Sequence, residues 1–188
     1  MSRKPFWTVE QVEQKSKELG RKIAQSGYKP DFVVGIKFGG HIVGTHVAQG
    51  LGVPYHSISV KRRLSETVAR FPSLFRRFRR LHGFFEDLYY KLSRPFVAEP
   101  LGLRLNENHK VLLVDDDVIL SRTINAAKAH LVKMGALPEN IVVASLNAHP
   151  KLKKKPDFFV ESVDAVFPWS TNSPYYEEFK KTRYAKDF

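Results

Sequence analysis

The stretch VLLVDDDVILSRTI, from Val111 to Ile124, runs from four apolar residues into three consecutive aspartates and then to Ser121, Arg122 and Thr123. Four apolar residues ahead of a polar turn have the composition of a strand buried on both faces. Such a strand delivers its carboxylates to the carboxyl edge of a parallel sheet, where the ligands of α/β proteins bind. The segment from Ser121 to Thr123 opens the next helix, whose hydroxyls and free N–H groups can cradle a phosphate. Carboxylates just upstream would repel that phosphate. Both demands are met by a ligand with hydroxyls in its middle and a phosphate at one end, as in a ribose 5-phosphate. The competing reading is a capped, hydrated loop with no ligand.

Outward from this stretch, helices and strands alternate. Thr8 to Gln25 has helical spacing, with Val9, Val12, Leu19 and Ile23 apolar among Lys and Glu. DFVVGI, from Asp31 to Ile36, reads as a buried strand broken by Lys37-Phe38-Gly39-Gly40, and a helix follows from Ile42 to Leu51. Two glycines let backbone N–H groups approach an anion closely at a helix start, although a plain connector would look the same. YHSISV from Tyr55, KVLLVDD, NIVVASL and one or two short segments of DFFVESVDAVF supply further strands, and Thr123 to Met134 supplies a helix. This order predicts one α/β domain over residues 1–188, a mainly parallel sheet flanked by helices.

Net charge is +12, and Lys61 to Arg94 carries ten Lys or Arg against Glu66, Glu86 and Asp87. Within that stretch Leu74, Phe78, Leu81, Phe85, Leu88 and Leu92 recur at spacings of 4, 3, 4, 3 and 4. The pattern predicts a basic helical insertion over 61–94, its helix running from near Pro72 to before Pro95 with one apolar stripe. Its charge attracts polyanions, whether a phosphorylated small molecule, a nucleic acid or an anionic membrane, and equally suits a solvated face. The chain has no cysteine, which excludes disulfides and thiolate metal sites. No stretch is long and apolar enough to span a membrane, and the start lacks the apolar core of a secretion signal, so a soluble, unprocessed protein is expected, with the cytoplasm as the default compartment rather than a deduction.

The motif VLLVDDDVILSRTI resembles the diphosphoribosyl pyrophosphate signature of type I phosphoribosyltransferases: apolar residues, two acids, a short linker, Thr-Gly-x-Thr and a helix. PFWTVEQV, SGYKPDFVVGIKFGG and KPDFFVESVDAVFPW are similar to the hypoxanthine and xanthine-guanine branch, particularly its archaeal type. The resemblance covers about 1–60 and 108–170. It implies the type I phosphoribosyltransferase fold, with the basic segment in the place of the family's catalytic loop or lid. It also implies that Asp115 and Asp116 bind the ribose hydroxyls, that Leu120, Ser121, Arg122 and Thr123 bind the 5-phosphate, and that Lys37, Phe38, Gly39, Gly40 and Lys61 bind pyrophosphate, with Mg2+ bridging. The implied reaction releases pyrophosphate as a nucleobase-like nitrogen takes the phosphoribosyl group, as in purine salvage.

The chain departs from that pattern at the base. Counting nine residues from Asp115 to Thr123 keeps the family spacing and puts Leu120-Ser121 where Thr-Gly stands; a register shifted by one, with Asp116 and Asp117 as the pair, is the alternative. The family's general-base aspartate falls at Ile119 or Leu120, its purine-reading lysine at His149 and its stacking aromatic at Asp164, with Phe167 and Trp169 nearby. Poor turnover of hypoxanthine and guanine is therefore expected. His149 and Asp164 equally suit a solvated loop and a turn. A homo-oligomer is expected. The alternative function is a catalytically weak sensor or regulator that binds diphosphoribosyl pyrophosphate or a nucleotide in the same fold, with RNA or DNA as a second partner through the arginine-rich helix.

Overall fold

A computed structural model of the chain describes residues 4–63, 94–119 and 121–187. The apolar stripe from Leu74 to Leu92, and Leu120, lie outside the described residues. Helix α1 (Val9–Gln25) starts at a reciprocal cap: the Gln11 N–H donates to Thr8 Oγ1 at 3.2 Å, and the Thr8 N–H donates to Gln11 Oε1 at 2.9 Å. Its buried face is Val12, Ser16, Leu19 and Ile23, and the Ser16 hydroxyl donates back to the Val12 carbonyl at 2.7 Å. Strand β1 (Phe32–Ile36) is buried throughout, and α2 (Gly39–Leu51) follows after two residues, ending at Gly52 in the left-handed conformation with φ 68°.

Next come β2 (Tyr55–Arg63), β3 (Arg94–Glu99), β4 (Val111–Val118), α3 (Arg122–Lys133), β5 (Ile141–Ala148), β6 (Phe158–Glu161) and the short α4 (Tyr176–Phe179). The sheet order is β3-β2-β1-β4-β5-β6, parallel except where β3 runs antiparallel to β2. One face packs Val33, Leu112, Val114, Ala144 and Leu146 against α1 and α2; the other packs Val34, Ile36, Leu113 and Val143 against Ile124, Ala127 and Leu131 of α3. This is the layered α/β architecture that the alternation of elements predicts.

Two expectations need correction. The basic insertion does not begin at Lys61 or reach Arg94: Lys61 to Arg63 continue β2, and Arg94 and Pro95 open β3, pairing Arg63 with Arg94 and Arg62 with Pro95. Pro95 is tolerated there because β3 is an edge strand among the described residues. Helix α2 begins at Gly39 rather than Ile42, so both glycines belong to its first turn. In DFFVESVDAVF, where one or two short strands were expected, Phe158–Glu161 is one strand, and Val166 forms an isolated bridge to Phe6, with the Trp7 N–H donating to the Val166 carbonyl at 3.0 Å.

Candidate active site

The sheet order reverses between β1 and β4: the chain goes from β1 outward to β2, then returns to β4 and proceeds the other way through β5 and β6. Ligands bind in the crevice at such a switch point, outside the carboxyl ends of the strands. The ends of β1 and β4 here are Lys37-Phe38-Gly39 and the aspartate run, and they line one cleft of about 680 Å³. Its walls also include Ile119, Ser121, Arg122, Thr123, Asp164, Phe167 and Trp169.

Close approach at this crevice depends on the glycines. A Cβ on Gly40 would lie 2.9 Å from the Val114 carbonyl and 3.1 Å from the Asp115 Cα, so α2 could not seat its first turn against β4. A Cβ on Gly39 would overlap the Asp116 carboxylate. Phe38 between strand and helix takes φ 76°, a conformation that an L side chain adopts at a cost and that turns the start of α2 toward the cleft. On the other side Ser121, which the unshifted register expects at the family's glycine position, has φ 52° and directly precedes α3. Serine here holds a left-handed geometry that glycine adopts at less cost.

The acids differ in environment. Asp115 is 8% exposed and accepts the Asp116 backbone N–H at 3.0 Å. Burial, reinforced by the Asp116 charge, pushes its carboxyl well above the ordinary range. Burial also raises Asp116, whose Oδ2 accepts the Trp169 indole N–H at 3.1 Å. Burial and the neighbouring Asp116 charge push Asp117 up to about 7. Asn147, wholly buried on β5, donates from Nδ2 to Asp117 Oδ1 at 3.0 Å and to the Val163 carbonyl at 2.7 Å.

Aromatic packing fixes the far wall. Trp169 stacks on Phe167 with ring centres 5.0 Å apart and planes at 23°, and Phe167 meets Trp7 edge-on at 4.9 Å. Phe167 is buried, so Trp169 carries most of the aromatic surface. Lys4 pairs with Asp164 at 2.9 Å, and Lys37 pairs with Glu99 on β3.

Most residues singled out from the sequence therefore meet in one cleft: Lys37, Phe38, Gly39, Asp115, Asp116, Ile119, Ser121, Arg122, Thr123, Asp164 and Phe167. Gly40 lies behind it, against β4. Lys61 is exposed on β2 opposite Phe96 and is not among the lining residues, and neither is His149, whose N–H continues the sheet by donating to the Val118 carbonyl at 3.1 Å. Sequence reasoning missed Asn147 and Glu99. A lone asparagine in the apolar run IVVASLNA was a readable signal; the pairing of Glu99 with Lys37 had none.

A switch-point cleft with a glycine-started helix on one strand end and an acid run on the other is an α/β site of a kind suited to a phosphorylated, hydroxyl-bearing ligand. The chain belongs to the phosphoribosyl transferase domain family, whose model matches residues 8–177, and it is a type I phosphoribosyltransferase. A purine phosphoribosyltransferase from Pyrococcus horikoshii Ot3 is similar at 25% identity, with a TM-score of 0.66 over 89% of this chain and 94% of that one. A hypothetical protein from Neisseria gonorrhoeae with bound ppGpp aligns with a TM-score of 0.64 at 19% identity, covering 96% of each chain. A xanthine-guanine-hypoxanthine phosphoribosyltransferase from Helicobacter pylori aligns with a TM-score of 0.61 at 14% identity, covering 97% of this chain and 100% of the other. The last two are likenesses of fold. No curated protein sequence matches significantly.

Proposed function

We propose that the chain transfers a 5-phosphoribosyl group from diphosphoribosyl pyrophosphate to a nucleobase with release of pyrophosphate, in salvage of bases within the cytoplasm. The observation that carries this reading is the convergence of Asp115 and Asp116 with two helix starts, Gly39 and Arg122, around one cleft at the β1/β4 switch point. The 5-phosphate is assigned to Ser121, Arg122 and Thr123, at the N-terminus of α3, where the helix dipole favours an anion. The left-handed Ser121 supports the unshifted register, with Asp115 and Asp116 as the acid pair. Those carboxylates accept from the ribose hydroxyls. The diphosphate is assigned to the Lys37–Gly39 turn.

Among the described residues no group of three or more His, Cys, Asp or Glu is arranged to hold a metal. The site nevertheless fits Mg2+, which commonly takes one or two carboxylates and completes its shell with substrate phosphates and water. Asp115 and Asp116 would hold it, and their raised pKa values are those of carboxylates that a nearby cation would ionise. When bound, the cation supplies positive charge to the departing diphosphate. This chain's residues orient the ribose, hold the two phosphate ends apart and shield the anomeric carbon from water.

The test is pyrophosphate release from diphosphoribosyl pyrophosphate and Mg2+ across a panel of bases, with calorimetry of the same ligand. Asp116→Ala should weaken that binding at least about tenfold, because charged hydrogen bonds contribute about 1.5–3 kcal/mol each. A parent protein that shows no binding refutes the reading, and binding without turnover of any base supports the sensor alternative.

A further inference from the structure

Resting on the phosphoribosyl-transfer reading, Asp116 must present its carboxylate to the ribose in a fixed orientation. Asp116 lies where the fully buried run of β4 gives way to half-buried residues, so strand packing alone does not hold the side chain. Its orientation depends on what donates to it. The Trp169 indole N–H donates to Asp116 Oδ2 at 3.1 Å. A carboxylate has about four lone-pair sites, so this contact fixes the group and still leaves acceptors for ribose hydroxyls.

The indole is itself pinned. It stacks on Phe167 with ring centres 5.0 Å apart and planes at 23°, and it meets Phe179 of α4 at 5.9 Å and 64°. Both of those rings are buried, and close-packed interiors yield little. Phe167 is held in turn by Trp7, edge-on at 4.9 Å, whose N–H bonds the Val166 carbonyl at 3.0 Å. The segment after β6 therefore delivers a donor with a set position.

A separate observation comes from α2. A Cβ on Gly39 would lie 2.1 Å from Asp116 Oδ2 and 2.5 Å from Trp169 Cζ2, so the first residue of α2 seats directly on the bonded pair. The absence of a side chain there lets α2, β4 and the segment after β6 meet at one hydrogen bond. That bond joins the turn assigned to pyrophosphate with the acid assigned to the ribose.

We propose that Trp169 is a positioning residue whose indole N–H sets the Asp116 carboxylate for the ribose, so that its effect on ligand affinity passes through Asp116. The matching of donor to acceptor before the ligand arrives is preorganisation, which spares the ligand the work of ordering the acid.

The experiment is a double-mutant cycle on the full chain, read by calorimetry of diphosphoribosyl pyrophosphate with Mg2+. Trp169→Phe keeps a flat ring against Phe167 and removes the donor. It should weaken binding about three- to tenfold in the parent protein and less than about twofold in Asp116→Ala, where the bond no longer exists. An equal loss in both backgrounds, as general loosening of the wall would give, overturns the proposal, and so does parental affinity in Trp169→Phe. The chain has two tryptophans, so its proton NMR spectrum carries two indole N–H signals, and the one missing from Trp169→Phe belongs to Trp169. Asp116→Ala should shift that signal and leave the Trp7 signal in place. A Trp169 signal that stays where it was overturns the proposal even if Asp116→Ala binds too weakly for the cycle. The cycle reads binding, so it applies whether or not any base is turned over. A parent protein that does not bind diphosphoribosyl pyrophosphate overturns the phosphoribosyl-transfer reading itself, and this inference with it.

Discussion

Asp117→Asn should make the protein more stable, and the gain should depend on pH in a defined way. In the folded chain Asp117 is raised from 3.8 to about 7, chiefly by burial and then by the Asp116 charge. A carboxyl whose folded pKa is raised contributes stability that is fully present below about 3.8, declines as pH rises and is lost above about 7, because the unfolded chain releases the proton first. At about 1.4 kcal/mol for each pH unit the rise would come to about 4 kcal/mol in a sealed interior. Asp117 is half-buried beside an open cleft, so solvent screening leaves roughly 1–2 kcal/mol. Asparagine removes the ionisation and retains an acceptor for Asn147 Nδ2. Thermal melts from pH 4.5 to 8.5 should show the variant's advantage widening up to about pH 7 and then levelling at about 3–6 °C. A variant no more stable than the parent at pH 8, or one whose advantage is the same at every pH, would refute the electrostatic account of the acid run.

Ser121→Gly should raise the melting temperature slightly, since relief of the left-handed strain at φ 52° outweighs the added freedom of the unfolded chain by about 0.5–1 kcal/mol; a loss of stability in the same melts would count against it. Gly39→Ala should weaken binding of diphosphoribosyl pyrophosphate by more than about tenfold, because its methyl would displace the Asp116 carboxylate and reach the Trp169 ring at 2.5 Å; calorimetry showing parental affinity would mean that the turn yields without consequence. Glu99 is held below the usual carboxylate range by Lys37, and pyrophosphate must compete for the same ammonium. Glu99→Gln should therefore tighten pyrophosphate binding by about two- to fivefold at neutral pH, a modest effect suited to an exposed pair, and unchanged product inhibition would refute it.

The elements that the sequence disclosed are those whose side chains repeat with the period of their own backbone. Val111 to Val114 and Phe32 to Ile36 are apolar throughout because both faces of the sheet are covered, and α1 carries its buried residues at helical intervals behind a Thr8 cap. Strand β3 was not legible, since Arg94-Pro95-Phe96 follows a helical stripe and its strand identity comes only from pairing with β2, a contact distant in sequence. The cleft was legible where chemistry is concentrated in a short stretch, as at Asp115 to Thr123. It was less legible where a partner arrives from another strand: the lone Asn147 in an apolar run marks a buried polar residue but not its partner Asp117, and Glu99 on Lys37 is set by sheet order and carries no signal.

On the proposed function, the cost of the acid run is also the source of its use. Three adjacent aspartates, all with carboxyls raised chiefly by burial, line the cleft of a chain of net charge +12, so ionising them together is costly. Departure of pyrophosphate leaves positive charge on the ribose, between Asp115 and Asp116 on one side and the Lys37 turn on the other. Carboxylates fixed there gain most as that charge develops, which is differential stabilisation of the transition state rather than of the bound substrate. Neutralising Asp115 should consequently stabilise the fold and depress kcat more than it weakens ligand binding. If Asp115→Asn instead raised only KM, the acid would be a ground-state ligand to the ribose hydroxyls and nothing more.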